Sequence, residues 1–197
     1  MAIQSFADAN TEKVWRRQHV ARLGTDIQRA AQKKLRLLNA AGTLGDLRVP
    51  PGNRLEKLTG SRAGQHSIRV NDQFRICFTW TAGGPTDVEI VDYHEKGGNA
   101  LTKAHDPITP GEILRTEFLE PLEISQYRLA QATGLSQTRI GEIVRGRRRI
   151  TTETGLRLSR ALGTSERFWI NIQADYDIEV EHDTHEDDLN RIESLVS

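Results

Sequence analysis

The chain is 197 residues long, enough for one large domain or two small ones at ~100 to 150 residues each. Its 27 basic and 27 acidic side chains cancel overall but not locally: residues 1–99 carry 15 basic and 10 acidic, residues 100–174 carry 11 and 8, and residues 175–197 carry 1 and 9. Two basic blocks ahead of an acidic tail favour polyanionic partners, while a polar N-terminus and the lack of any apolar run near ~20 residues argue against secretion or membrane insertion.

Taken in chain order, residues 11–21 read as a short helix and residues 25–41 as a stronger one capped by Thr25 or Asp26. In the second, Ile27, Ala30, Ala31, Lys34, Leu35 and Leu38 follow helical spacing, whereas Arg29, Lys33 and Arg36 lie off that stripe. One face packs and the other is basic. Gly42, Gly45 and Pro50-Pro51-Gly52 then predict a loop. The period changes to two in 66–70, 74–80 and 87–93, which predicts three strands joined at Asn71-Asp72 and at Ala82 to Pro85. The single Cys77 excludes an internal disulfide, and in the run Ile76-Cys77-Phe78 it reads as a buried thiol in a reducing cytoplasm. These elements describe a small α+β domain in which two helices precede an antiparallel meander.

Several stretches of this half carry a resemblance: Asn53-Arg54-Leu55-Glu56 with Leu58-Thr59-Gly60, Gln65 to Asn71, Phe74-Arg75-Ile76 and the closing Asp92-Tyr93-His94. They resemble the HigB branch of the RelE/ParE toxin superfamily over residues 1–97. The resemblance implies an endoribonuclease that cleaves mRNA on the ribosome without a metal or other cofactor. Attack through a ribose 2′-hydroxyl needs a base, an acid for the leaving oxygen and cations over the phosphate. In that scheme His94 shuttles a proton, Tyr93 orients or donates beside Asp92, and Arg69 and Arg75 hold the phosphate. Some family members place a His where Glu56 stands and a Lys where Thr59 stands. Glu56 then serves as the base by analogy, with Lys57 adjacent for the phosphate.

Beyond Gly97-Gly98-Asn99 the pattern becomes wholly helical. Thr109 is a helix cap, Pro110 takes the first helical position, Ile113, Leu114, Phe118 and Leu119 form an apolar face, and Pro121 stops the helix. The stretch from Ser125 to Arg145 sets a cap at Ser125, a small Ala130, a turn at Gly134, a second cap at Ser136 and a packing pair at Ile140 and Ile143. That order is a helix-turn-helix. It looks like the Xre-type helix-turn-helix of HigA antitoxins, with two further helices over 151–163 and 168–176. The second helix of such a unit enters the major groove. Spacing then assigns Gln137, Thr138 and Arg139 to base edges, with Glu142 and Arg145 further along, and Arg147, Arg148 and Arg149 to phosphates.

The organisation expected is a toxin at 1–97, a linker at 98–106, an antitoxin at 107–180 and an acidic tail at 181–197. The tail is either a disordered end or a cover for the basic first half; Asp183-Thr184-His185-Glu186-Asp187 lacks the fixed spacing of a metal site. A homodimer is expected, because a lone helix-turn-helix rarely reads a site, and Leu156, Leu162, Phe168, Trp169 and Ile172 are available either for it or for the core. The whole reads as a cytoplasmic toxin–antitoxin module in which the toxin touches its antitoxin within or between chains, the antitoxin binds operator DNA, and the ribonuclease is held inactive. Two other readings stand beside it: a DNA-binding repressor whose N-terminal half is catalytically inactive, and a gyrase poison, against which Tyr93-His94 argues.

Overall fold

The computed structural model describes residues 2–21, 23–92 and 106–195. Tyr93, His94 and the predicted linker, apart from Asp106, lie outside the described residues. Helix α1, Ala9–Trp15, is capped by Asp8, whose carboxylate accepts from Asn10 N at 2.8 Å and Thr11 N at 2.9 Å. It is shorter than the predicted 11–21 because Arg17 takes a positive φ of 57°, which a helix cannot contain. Helix α2, Thr25–Ala40, follows; its cap is Gly24 rather than Thr25 or Asp26. Where a loop was expected, Thr43 and Asp46 form a reciprocal capping box and start the one-turn helix α3, Leu44–Arg48.

Four strands form one antiparallel sheet in the order of the chain: β1 Glu56–Lys57, β2 Gln65–Arg69, β3 Phe74–Thr81 and β4 Gly84–Asp92. The two-residue β1 escaped the periodicity, which needs four residues or more to declare itself. Ile68, Ile76, Phe78 and Val88 are fully buried beneath α2. The first half is thus the expected helix-and-meander fold.

The second half is all-helical: α4 Pro110–Ile113, which runs on as a π-helical Leu114–Leu119, α5 Gln126–Thr133, α6 Gln137–Val144, α7 Thr152–Leu162 and α8 Phe168–Leu189. Thr109 and Pro110 open α4 as expected. A Cβ on Gly111 would sit 1.9 Å from the carbonyl oxygen of Ile143, so glycine is what lets α4 reach α6. Phe118, Phe168 and Trp169 form an aromatic centre with ring centroids 4.8 to 5.8 Å apart. Leu162, Phe168, Trp169 and Ile172 are all buried there, which leaves Leu156, 42% exposed, as the one member of the expected dimer set at the surface.

The two halves share a core. Buried apolar residues of α2, of the sheet and of the antitoxin helices form one continuous cluster. Helix α2 lies between the sheet and α8, so the face predicted to be basic is partly covered: Arg36 is 6% exposed, as is Lys34, which sits on the stripe predicted to pack. Helix α8 passes straight through the boundary drawn at residue 180, and its acidic residues meet this covered face. Asp175 accepts from Asn39 at 2.7 Å, Glu179 pairs with Arg36 and with Arg17 at 3.4 Å, and Asp183 pairs with Arg17. The acidic segment is therefore helical to Leu189 and partly a cover. Burial pulls the Arg36 guanidinium down to about 10 against the opposing charge of Asp175, with Arg17 lowering it further; burial likewise raises Asp175, against the Asn39 hydrogen bond and the Arg36 charge.

Candidate catalytic face and DNA-binding surface

Antiparallel register decides which charged residues of the sheet can act together. Arg69 lies opposite Arg75, and Glu56 lies opposite Ser67. Because side chains alternate along a strand, Glu56, Ser67, Arg69 and Arg75 share one face. The contacts agree. Arg75 donates from Nε to Ser67 Oγ at 2.9 Å and from Nη2 to the Arg54 carbonyl at 2.8 Å, and its Nη2 lies 3.2 Å from Glu56 Oε2. Arg69 donates to the carbonyl of Asn71 at 3.2 Å and pairs with Asp72. A carboxylate beside two guanidiniums can accept a proton next to a bound phosphate, but in this chain both guanidiniums are already engaged.

Lys57 is placed differently. Its register partner is His66, so it sits on the opposite side of the sheet from Arg75. Burial depresses His66, whose ring stacks on Phe78, and the Lys57 charge depresses it further. Asp92 pairs with Phe74 at the end of β4 and accepts from Gln73 Nε2 at 2.9 Å. Tyr93 and His94 lie outside the described residues. Sequence reasoning missed Arg54, an exposed residue in the left-handed region at φ 42° whose carbonyl holds Arg75. It also missed Ser67, buried beneath Arg75. Neither carried a local signal, since both act on a residue of another strand.

The helix-turn-helix is built as its residues predicted. Ser125 Oγ accepts from Arg128 N at 3.1 Å, Gly134 turns with φ 69°, and Ser136 Oγ accepts from Arg139 N at 3.2 Å. Gln137 and Thr138 are exposed at the start of α6. Arg139 is not extended beside them. Its Nη2 donates to Thr154 Oγ1 at 2.7 Å and lies 3.3 Å from Glu153, so it ties α6 to the start of α7. Glu142 is held 2.5 Å from Arg148 Nε, and Arg149 lies 2.8 Å from Asp177 of α8. The Arg145 guanidinium folds back over Gly141 toward Gln126, since a Cβ at Gly141 would lie 2.9 Å from its Nη2 and 3.4 Å from Gln126 Oε1. Arg145, Arg147, Arg148 and Arg149 are all exposed. Tyr127, 56% exposed with its hydroxyl accepting from Gln131 at 2.6 Å, is a further surface residue that sequence reasoning passed over.

Toxin and antitoxin meet away from Glu56, Arg69 and Arg75. Lys33 and Arg29 pair with Glu112 at 2.8 and 2.7 Å, Lys34 pairs with Glu117 at 2.5 Å, and Asp46 accepts from Ser165 N at 2.6 Å and Ser165 Oγ at 2.7 Å. Burial pushes Glu112 up, but its hydrogen bonds and charge contacts with Lys33 and Arg29 outweigh this and hold it below the usual carboxylate range. Among the described residues no hydrogen bond or ion pair joins Glu56, Lys57, Arg69 or Arg75 to the antitoxin half.

Comparison with known proteins agrees with both halves. Residues 4–94 match the family described as the RelE-like toxin of the type II toxin–antitoxin system HigB, and residues 117–169 match a helix-turn-helix family. The chain is 48% identical over 84 residues to virulence-associated protein I of Dichelobacter nodosus, covering 43% of this chain and 74% of that protein. It is 36% identical over 72 residues to antitoxin HigA-1 of Vibrio cholerae, covering 36% of this chain and 68% of the antitoxin. To toxin HigB-1 of the same organism it is 49% identical over 59 residues, covering 30% of this chain and 62% of the toxin. Sheet, helix-turn-helix and relatives converge: the chain belongs to the HigB–HigA toxin–antitoxin family, with a HigB-like toxin domain followed in one polypeptide by a HigA-like helix-turn-helix antitoxin domain.

Proposed function

We propose that this chain is a latent ribosome-dependent mRNA endonuclease held inactive by its own C-terminal half, which also binds operator DNA and represses its operon from the cytoplasm. The observation that carries the reading is the shared core, with ion pairs from α2 to α4 and α8 that would keep toxin and antitoxin together. Covalent linkage adds to this, because a short tether gives the partner an effective concentration of roughly millimolar. Catalysis is assigned to Glu56 as base, Arg69 and Arg75 as phosphate ligands, Lys57 as a flanking charge, and Asp92-Tyr93-His94 as the acid end. No metal or cofactor enters this scheme.

The DNA role rests on Gln137 and Thr138 at the exposed start of α6 and on the arginines from Arg145 to Arg149. Arg139 is tied to Thr154 and Glu153 of α7, and Glu142 to Arg148. A homodimer would place two such helices about 34 Å apart on a palindrome, and Leu156 is one exposed apolar residue available to it. The test of the enzyme is expression of residues 1–97 alone, with His94→Ala as control. Arrest of translation by the fragment and not by its variant is expected, and growth without arrest sinks the ribonuclease. The second reading, a repressor with an inactive toxin half, is favoured by Glu56 and Thr59 at positions where family members carry His and Lys. Cleavage of mRNA on isolated ribosomes separates the two.

A further inference from the structure

The toxin–antitoxin contact reaches one element of the candidate catalytic face without covering it. Asn53, the last residue of a tight turn Pro51–Asn53, is fully buried. Its Nδ2 donates to the Leu47 carbonyl at 2.8 Å, and its Oδ1 accepts from Lys34 Nζ at 2.8 Å. The same ammonium donates to Glu117 Oε2, on the π-helical end of α4, at 2.5 Å. Directly after Asn53 the chain enters the left-handed region at Arg54, φ 42° and ψ 56°. That carbonyl accepts from Arg75, which pairs with Glu56 two residues further on. A continuous run of polar contacts thus leads from an antitoxin carboxylate, through a buried lysine and asparagine, to the turn that engages Arg75.

Two physical facts make this run sensitive to Glu117. A buried ammonium is stable only while paired and hydrogen-bonded, so Lys34, 6% exposed, depends on the carboxylate that the antitoxin supplies. A non-glycine residue with positive φ is strained and persists only where its surroundings over-determine it, which here means Asn53 on one side and Arg75 on the other. If Glu117 leaves, Lys34 turns to water, Asn53 Oδ1 is left without its donor, and the left-handed turn keeps only half of its support.

We propose that Glu117 is a remote latch: through Lys34 and Asn53 it locks the Arg54 turn in the shape that keeps Arg75 bound to the Arg54 carbonyl and to Glu56. The antitoxin then silences the phosphate-binding arginine by fixing its neighbours, with the substrate face left open. Release of the antitoxin frees the turn, and Arg75 with it. The catalytic consequence rests on the ribonuclease reading above, whereas the mechanical coupling does not.

The test uses the full-length chain in four forms: wild type, Glu117→Gln, Lys34→Met, and Glu112→Gln as a control at the same interface that does not touch Asn53. Lys34→Met keeps the length of the side chain and breaks the link from its other end, leaving the Glu117 carboxylate without its cation, so it reports on the latch even if Glu117→Gln folds poorly. Hydrogen–deuterium exchange is read at the amides of residues 53–57 and compared with those of α5 and α6. The latch variants are expected to speed exchange in 53–57 by about tenfold while α5, α6 and Glu112→Gln stay at the wild-type rate. Wild-type exchange at 53–57 in both latch variants overturns the proposal, and so does an equal acceleration in Glu112→Gln, which would mean general loosening. Ribosomal mRNA cleavage is measured on the same samples. Faster exchange with cleavage supports both readings, and faster exchange without cleavage keeps the coupling and removes its catalytic consequence, the ribonuclease itself being judged on residues 1–97.

Discussion

Replacing Asp46 by alanine tests how the two halves are joined. The Asp46 carboxylate is 2% exposed and accepts four hydrogen bonds: from Gly42 N at 2.7 Å, Thr43 N at 3.1 Å, Ser165 Oγ at 2.7 Å and Ser165 N at 2.6 Å. Two hold the entry to α3 and two cross to the antitoxin. Loss of the cap costs about 1 kcal/mol, and each cross-domain bond to a charged acceptor contributes roughly 1.5 kcal/mol, giving an expected destabilisation of about 4 kcal/mol. Ser165→Ala removes only the hydroxyl bond and is expected to cost about 1.5 kcal/mol. Urea unfolding of the full chain, followed by tryptophan fluorescence, gives both values and that of the double variant. Trp15 and Trp80 report on the toxin and Trp169 on the antitoxin. The double variant is expected to be less destabilised than the sum by about 1.5 kcal/mol, because both single changes remove the same bond. Costs that add within about 0.3 kcal/mol, or an Asp46→Ala cost below about 1 kcal/mol, would refute a joint made at this residue.

Three further outcomes follow from the same interactions. Arg139→Ala breaks the tie from α6 to Thr154 and Glu153, so it is expected to lower the melting temperature and weaken binding to every duplex alike in fluorescence anisotropy; reduced discrimination at a single base pair with an unchanged melting temperature would make Arg139 a base reader instead. Replacing Arg147 or Arg148 by alanine is expected to reduce the slope of log affinity against log salt by about 0.9 for each phosphate left unneutralised, and an unchanged slope would place these residues off the DNA. Glu112 titrates in the folded protein below its ordinary value of 4.5, so the stability it adds is complete above that pH and disappears as pH falls through the folded value. The melting-temperature gap between wild type and Glu112→Gln is therefore expected to close on acidification below pH 4.5, and a gap that widens there would contradict the ion pairs with Lys33 and Arg29.

The most legible parts of the chain were those whose causes lie within a few residues. Ser125, Gly134 and Ser136 announce the helix-turn-helix because each satisfies or turns backbone groups at most three or five positions away. The strands of the toxin were equally plain, since runs of period-two apolar and polar residues bounded by turn signals mark strands. Local signals also mislead: Gly42 and Gly45 suggested only a loop, although Thr43 and Asp46 between and after them cap a helix. In the candidate site, the residue types could be named from sequence, but only the register put Glu56 beside Arg75 and turned Lys57 away.

Sequence by itself determined two domains, their fold classes and their family, because caps, turns and hydrophobic period are short-range properties of the backbone. Tertiary structure alone decided what the charges do. Arg36 looks like a solvated cation on a helix surface until Glu179 of α8 covers it, and Lys34, on the packed stripe, has no visible counter-charge until Glu117, 83 residues away, arrives. Arg139 looks like a base reader until Thr154, 15 residues on, accepts its guanidinium. A charged side chain carries no local preference strong enough to name its partner. Its partner is whichever opposite charge or acceptor the packing of apolar faces brings within about 3 Å, and that choice is made only when the chain has folded.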